Sequence, residues 1–148
     1  MSAPDARWWP RLRVFIFDLD GTLIDSKLDL ALSVNATRAA FKLGPLPHEQ
    51  IFGYIGDGAP MLVRRALDHT EDDTLVEEAV LFFLGYYREH MLDHTRPYPG
   101  VVEALEQLHQ QGARMAVLTN KPERFSRDMC TGLGFGKYFF QVYGGNSF

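Results

Sequence analysis

The chain has 148 residues, 46% of them hydrophobic and 23% charged, which is the make-up of an ordinary globular domain with room for a sizeable core. Its net charge of −4 excludes a general pull toward nucleic acid or an anionic membrane, so a phosphorylated ligand would have to be held by local groups. The single cysteine, Cys130, allows no disulfide within the chain, and no apolar run resembles a secretory leader or approaches the roughly 20 residues of a membrane helix. The expectation is a cytoplasmic protein without a nucleic-acid or membrane partner.

Taken in chain order, residues 1–12 include Trp8 and Trp9, which read as part of a packed or partly disordered tail. Residues 13–17 (RVFIF) are short, apolar and rich in β-branched and aromatic types, the pattern of a buried strand. DLDGT follows as a loop. Ser26 and Asp29 then form an S-x-x-D helix start, with Leu30, Val34, Thr37 and Phe41 at helical spacing and Gly44-Pro45 as the stop. A glycine-rich stretch leads to Pro60, placed for the first turn of a second helix. A longer helix is expected over 73–91. Val76, Val80, Phe83, Tyr87 and Met91 share one side of it, with Ala79, Phe82 and Tyr86 beside them.

The pattern changes at Arg96-Pro97-Tyr98-Pro99-Gly100, a stiff turn that marks a boundary. Beyond it come a helix over 101–110 with Val101, Ala104, Leu105 and Leu108 inward, a strand over 114–118 (RMAVL), a helix over 123–133 and a strand over 139–143. Strands alternating with helices imply a parallel sheet covered by helices. The fold class is therefore α/β: a Rossmann-like core of about three strands, incomplete, interrupted by a helical insert. The core is assigned to residues 1–25 plus 97–148 and the insert to 26–96, with residues 25–26 and 98–100 as hinges.

Asp18-Leu19-Asp20-Gly21-Thr22 carries the most chemical information. In open parallel sheets ligands bind beyond the carboxyl ends of the strands, and Asp18 stands at such an end. Two residues on, in near-extended backbone, Asp20 can point to the same side, and Gly21 permits a tight turn. Two neighbouring carboxylates repel, which favours a divalent cation between them. Such a pair suits phosphate chemistry. Asp18 would attack phosphorus, and Asp20 would protonate the leaving alcohol and then activate water. Mg2+, held by Asp18 and Asp20, would offset the repulsion between carboxylate and phosphate.

VFIFDLDGTLIDS resembles the first motif of the haloacid-dehalogenase-like hydrolases, and VLTNKP resembles their second. The resemblance implies that Thr119 and the backbone of Asn120 bind phosphoryl oxygens, with Gly21 in the same cradle, and that the insert is the family's small helical cap. The order of PYPGV, VLTNKP, GFGKYF and GGNSF is most similar to phosphoglycolate phosphatases, which hydrolyse 2-phosphoglycolate to glycolate and phosphate. A small phosphorylated metabolite is the implied partner. Its leaving group would be met by the cap loop at Gly56, Asp57 and Gly58, ahead of a helix N-terminus, with Arg64 and Arg65 as sources of charge. His48, His69, His90, His94 and His109 show no ligand spacing tied to the carboxylates and read as surface or satisfied histidines.

The sequence departs from the family pattern in two places. The expected lysine in a Lys-Pro context after the third strand and the acidic motif after a fourth strand are missing, since Glu123, Asp128 and Lys137 all stand elsewhere and Lys121 is only a less favoured substitute. The implied consequences are an exposed first strand, a weakly held metal and little turnover by 148 residues alone. An inactive remnant, a phosphate-binding module, a sugar-phosphate mutase and a pyrophosphatase remain as alternatives.

Overall fold

The structure is a computed structural model that describes residues 14–148; Trp8, Trp9 and Arg13 lie outside the described residues. Strand β1 (Val14–Phe17) pairs in parallel with β4 (Arg114–Leu118), which pairs in parallel with β5 (Phe139–Tyr143), giving the order β1-β4-β5. Parallel neighbours need crossovers. Helix α6 (Glu123–Gly132) and a short 3-10 turn supply the one from β4 to β5. The connection from β1 to β4 contains the five other α-helices: α1 (Lys27–Ala40), α2 (His48–Phe52), α3 (Ala59–Ala66), α4 (Asp73–His90) and finally α5 (Val101–Gln110).

The expected strands and longer helices form within one or two residues of their anticipated ends, except that α1 ends at Ala40, ahead of the Gly44-Pro45 stop. The central strand β4 has Met115, Ala116 and Val117 fully buried, as a continuous apolar run should. Strand β1, expected to be buried, has one neighbour among the described residues, and Val14 and Ile16 on it are exposed. In α4 the buried stripe is Val76, Ala79, Phe83, Tyr87 and Met91, whereas Phe82 is exposed. In α5 only Leu105 is buried, and Ala104 faces solvent. One hydrophobic cluster runs from α1, α3 and α4 into β4, β5 and α6, so the helical segment and the sheet share a core.

Two features had no counterpart in the sequence reading. Ile24–Asp25 (β2) and Arg96–Pro97 (β3) form an antiparallel ribbon, Ile24 opposite Pro97 and Asp25 opposite Arg96, at the points where the chain enters and leaves the helical segment. Tyr98 N–H extends it by donating to Leu23 O at 3.1 Å. The second feature lies at the S-x-x-D segment, where α1 does begin. Ser26 occupies the cap position of α1, but its hydroxyl turns to Asp20. Asp29 is buried, and its carboxylate accepts from His94 N, Thr95 N and Thr95 Oγ1 while pairing with His94 Nδ1, all at 2.8–2.9 Å. Entry and exit are thus joined twice, once by backbone pairing and once through Asp29. His94 is a satisfied histidine in this arrangement.

Arg38, also buried, is held in the same economical way. Its guanidinium donates to the carbonyls of Gly44 and Ala66, so one charged side chain satisfies the loop after α1 and the last turn of α3.

Candidate active site

The carboxyl ends of β1 and β4 lie side by side because the two strands run parallel with Phe17 opposite Val117. Asp18 therefore emerges next to Thr119. Leu19, between the two acids, is fully buried, and the alternation of the extended backbone turns Asp18 and Asp20 to the side away from it. Both acids line one pocket together with Thr119, Asn120 and Lys121. Asp18 Oδ1 accepts a hydrogen bond from Leu19 N at 2.7 Å, which fixes its rotamer. Gly21 has φ +79°, the left-handed conformation that turns the chain back so that its N–H donates to Ile24 O. Gly21 lines an adjoining recess with Asp20, Asp25, Ser26, Lys27 and Tyr98 rather than the pocket containing Thr119.

The loop after β4 is tightly built. Thr119 N–H continues the sheet by donating to Tyr143 O, and its hydroxyl accepts from Lys121 N at 3.2 Å. Asn120 Nδ2 donates to Gly56 O at 2.8 Å, tying this loop to the one ahead of α3. Gly144 and Gly145 press on the loop from the other side. A Cβ on Gly144 would stand 2.2 Å from Glu123 N, and one on Gly145 would stand 2.5 Å from Asn120 O.

The helical segment closes the pocket with Leu30, Ile55, Leu62, Phe83 and Tyr87. Of the residues expected to select the leaving group, Gly56 and Gly58 line the pocket. Asp57 and Arg64 do not. Asp57 pairs with Arg65 at 2.6 Å, and Arg64 spans from Thr70 O to Asp73 at the opposite end of α3. Both arginines point along the surface because nearby acids and carbonyls satisfy them there.

Two residues that the sequence reading undervalued complete the site. Lys121 is buried, its ammonium 3.3 Å from Asp20 Oδ1 and 2.6 Å from the Tyr87 hydroxyl. Tyr87 had been read only as core. Burial alone would lower the lysine pKa, but Tyr87 and Asp20 together outweigh it and hold the pKa above its ordinary value. Burial pushes the Tyr87 phenol up, so at neutral pH it is a neutral hydroxyl accepting from a charged ammonium. The available signal was chemical: a tyrosine hydroxyl on a buried helical face needs a polar partner.

The donor set matches Mg2+ in type. Asp18 and Asp20 supply hard oxygen ligands, and Mg2+ is commonly held by one or two carboxylates, with waters and phosphate oxygens as the other ligands. Among the described residues no group of three or more His, Cys, Asp or Glu forms a fuller metal cage.

A parallel α/β sheet with an acid pair at the end of its first strand defines a class, and the comparisons give its family. The chain belongs to the haloacid dehalogenase-like hydrolases, whose family model matches residues 15–148. The phosphoglycolate phosphatase of Haemophilus influenzae is 41% identical over 138 aligned positions, covering 88% of this chain and 62% of that protein. That of Pseudomonas fluorescens is 44% identical over 156, covering 99% and 56%. A crystal structure from Haemophilus somnus, described as a predicted phosphoglycolate phosphatase, superposes with a TM-score of 0.87 at 35% identity, covering 93% of this chain and 64% of that one. The chain thus spans somewhat over half the length of these relatives.

Proposed function

We propose that the protein is a Mg2+-dependent phosphoric monoester hydrolase acting on a small phosphorylated metabolite, 2-phosphoglycolate, through an aspartyl-phosphate on Asp18. The observation that carries this reading is the meeting of Asp18, Asp20 and Thr119 at one pocket mouth. The names of the relatives supply the substrate.

In the first step an Asp18 oxygen attacks phosphorus, the bond from phosphorus to the ester oxygen breaks, and Asp20 gives that oxygen a proton. In the second, Asp20 takes a proton from water, whose oxygen displaces Asp18 from phosphorus. Thr119 Oγ1 and the Asn120 backbone bind phosphoryl oxygens. Asp18 and Asp20 would hold Mg2+, whose charge offsets the repulsion between carboxylate and phosphate. Residues 26–96 act as the cap. Its apolar wall excludes water, and Gly56 and Gly58, ahead of α3, meet the leaving group.

A panel of phosphate esters tests this reading. In line with the little turnover expected of these 148 residues, phosphate release should be slow, but 2-phosphoglycolate should be preferred to hexose phosphates and pyrophosphate, and Asp18→Asn should abolish release. Exchange between hexose phosphate isomers would point to a mutase, and phosphate binding without release to a binding module.

A further inference from the structure

Asp20 is not held as a free carboxylate. Its Oδ1 accepts from Ser26 Oγ at 2.5 Å and lies 3.3 Å from Lys121 Nζ, while among the described residues no donor reaches Oδ2. Lys121 is in turn fixed on its far side. The Tyr87 hydroxyl accepts from it at 2.6 Å, and the ammonium sits 4.4 Å from the centre of the Tyr87 ring. Tyr87, 2% exposed, reaches Met129 Sδ with the same hydroxyl at 3.9 Å and packs edge-on against Phe125. A buried ammonium is costly unless paired, and among the described residues Asp20 is the one carboxylate with which Lys121 forms an ion pair. The chain of contacts therefore runs from the cap helix α4, through a residue of the phosphate loop, to the acid beside the nucleophile.

We propose that Lys121 is a positioning residue for Asp20, which pins Oδ1 so that Oδ2 faces the reacting oxygen, and that Tyr87 makes this alignment depend on docking of α4. The proposal rests on the reading of Asp20 as acid and base. When the phosphorus–oxygen bond breaks, its electron pair goes to the leaving oxygen and the proton on Oδ2 follows. Negative charge then grows on the Asp20 carboxylate beside a preset ammonium, where it is stabilised without any rearrangement. Lys121 acts on the step that needs a proton and on no other part of the first transfer.

That restriction gives the test. With protein in excess over ester, the first phosphoryl transfer is timed for 2-phosphoglycolate, whose alkoxide must be protonated, and for p-nitrophenyl phosphate, whose phenolate leaves without a proton. Lys121→Met should slow transfer from 2-phosphoglycolate on the order of a hundredfold, and from p-nitrophenyl phosphate by less than about threefold. Lys121→Arg should recover part of the loss. Tyr87→Phe, which keeps the ring, should slow the alkyl ester a few-fold in the same selective sense, and it serves as the second variant if Lys121→Met does not fold. Equal losses for the two esters would overturn the proposal, as would weaker ester binding with an unchanged transfer rate, which would make Lys121 a substrate contact. If the unsubstituted protein transfers phosphate from neither ester, the hydrolase reading itself fails and takes this proposal with it.

Discussion

Asp29 shows how much one carboxylate can do away from the pocket. Burial opposes its charge, but the hydrogen bonds from the backbone and side chains of His94 and Thr95 prevail and hold its pKa below the ordinary 3.8. A depressed carboxylate pKa means that its stabilisation is present in full above the unfolded value and is lost as pH falls through the folded one. Asp29→Ala should therefore cost about 3 kcal/mol in urea unfolding near neutrality. The gap from the unsubstituted protein should narrow as the pH falls below 3.8. Cys130 makes the opposite case. Burial pushes its thiol up to about 12, so the native protein should resist alkylation at neutral pH and react promptly once unfolded in urea. The side chains whose partners were not legible in the sequence share one reason. Ser26 and Asp29 obey a local capping rule, and Arg64 sits near a glycine loop, yet tertiary partners at Asp20, Thr95 and Asp73 claim all three side chains. Sequence spacing carries no information on which partner wins.

At the scale of elements, the helices and the three sheet strands were legible because their apolar periodicity is long and ends in glycine or proline. The β2–β3 ribbon was not, since two-residue strands have no period to detect. The five-residue α2 was hidden for the same reason. Junctions between elements carry constraints that periodicity misses. Gly144 follows β5, and an added Cβ would collide with the backbone of Glu123 and Lys121 rather than with movable side chains. Gly144→Ala should destabilise the protein by about 3 kcal/mol and disturb the loop that carries Thr119 and Lys121. Gly85, inside α4 with nothing near its missing Cβ, is the matched control. Gly85→Ala should raise stability by about 0.5–1 kcal/mol in the same thermal or urea series, through helix propensity.

In the molecule as a whole, the site exists only where separate parts meet: β1 brings the acids, β4 the loop with Thr119, and α3 and α4 the wall opposite. The carboxylate pair and Thr119 could be read from sequence because their position at strand ends is set by topology. The Lys121–Tyr87 contact could not, because it joins residues 34 apart across two elements. Among the described residues no helix is long and apolar enough to cross a membrane. Chelation of divalent cations should suppress phosphate release, and added Mg2+ should restore it. The most direct measurement is acid quenching of the protein during reaction with 2-phosphoglycolate and Mg2+, followed by mass-spectrometric mapping of the phosphorylated peptide. The account predicts a phosphoryl group on Asp18, absent from Asp18→Asn. Phosphate release with the label on another residue, or with no covalent label under conditions that preserve acyl phosphates, would contradict it.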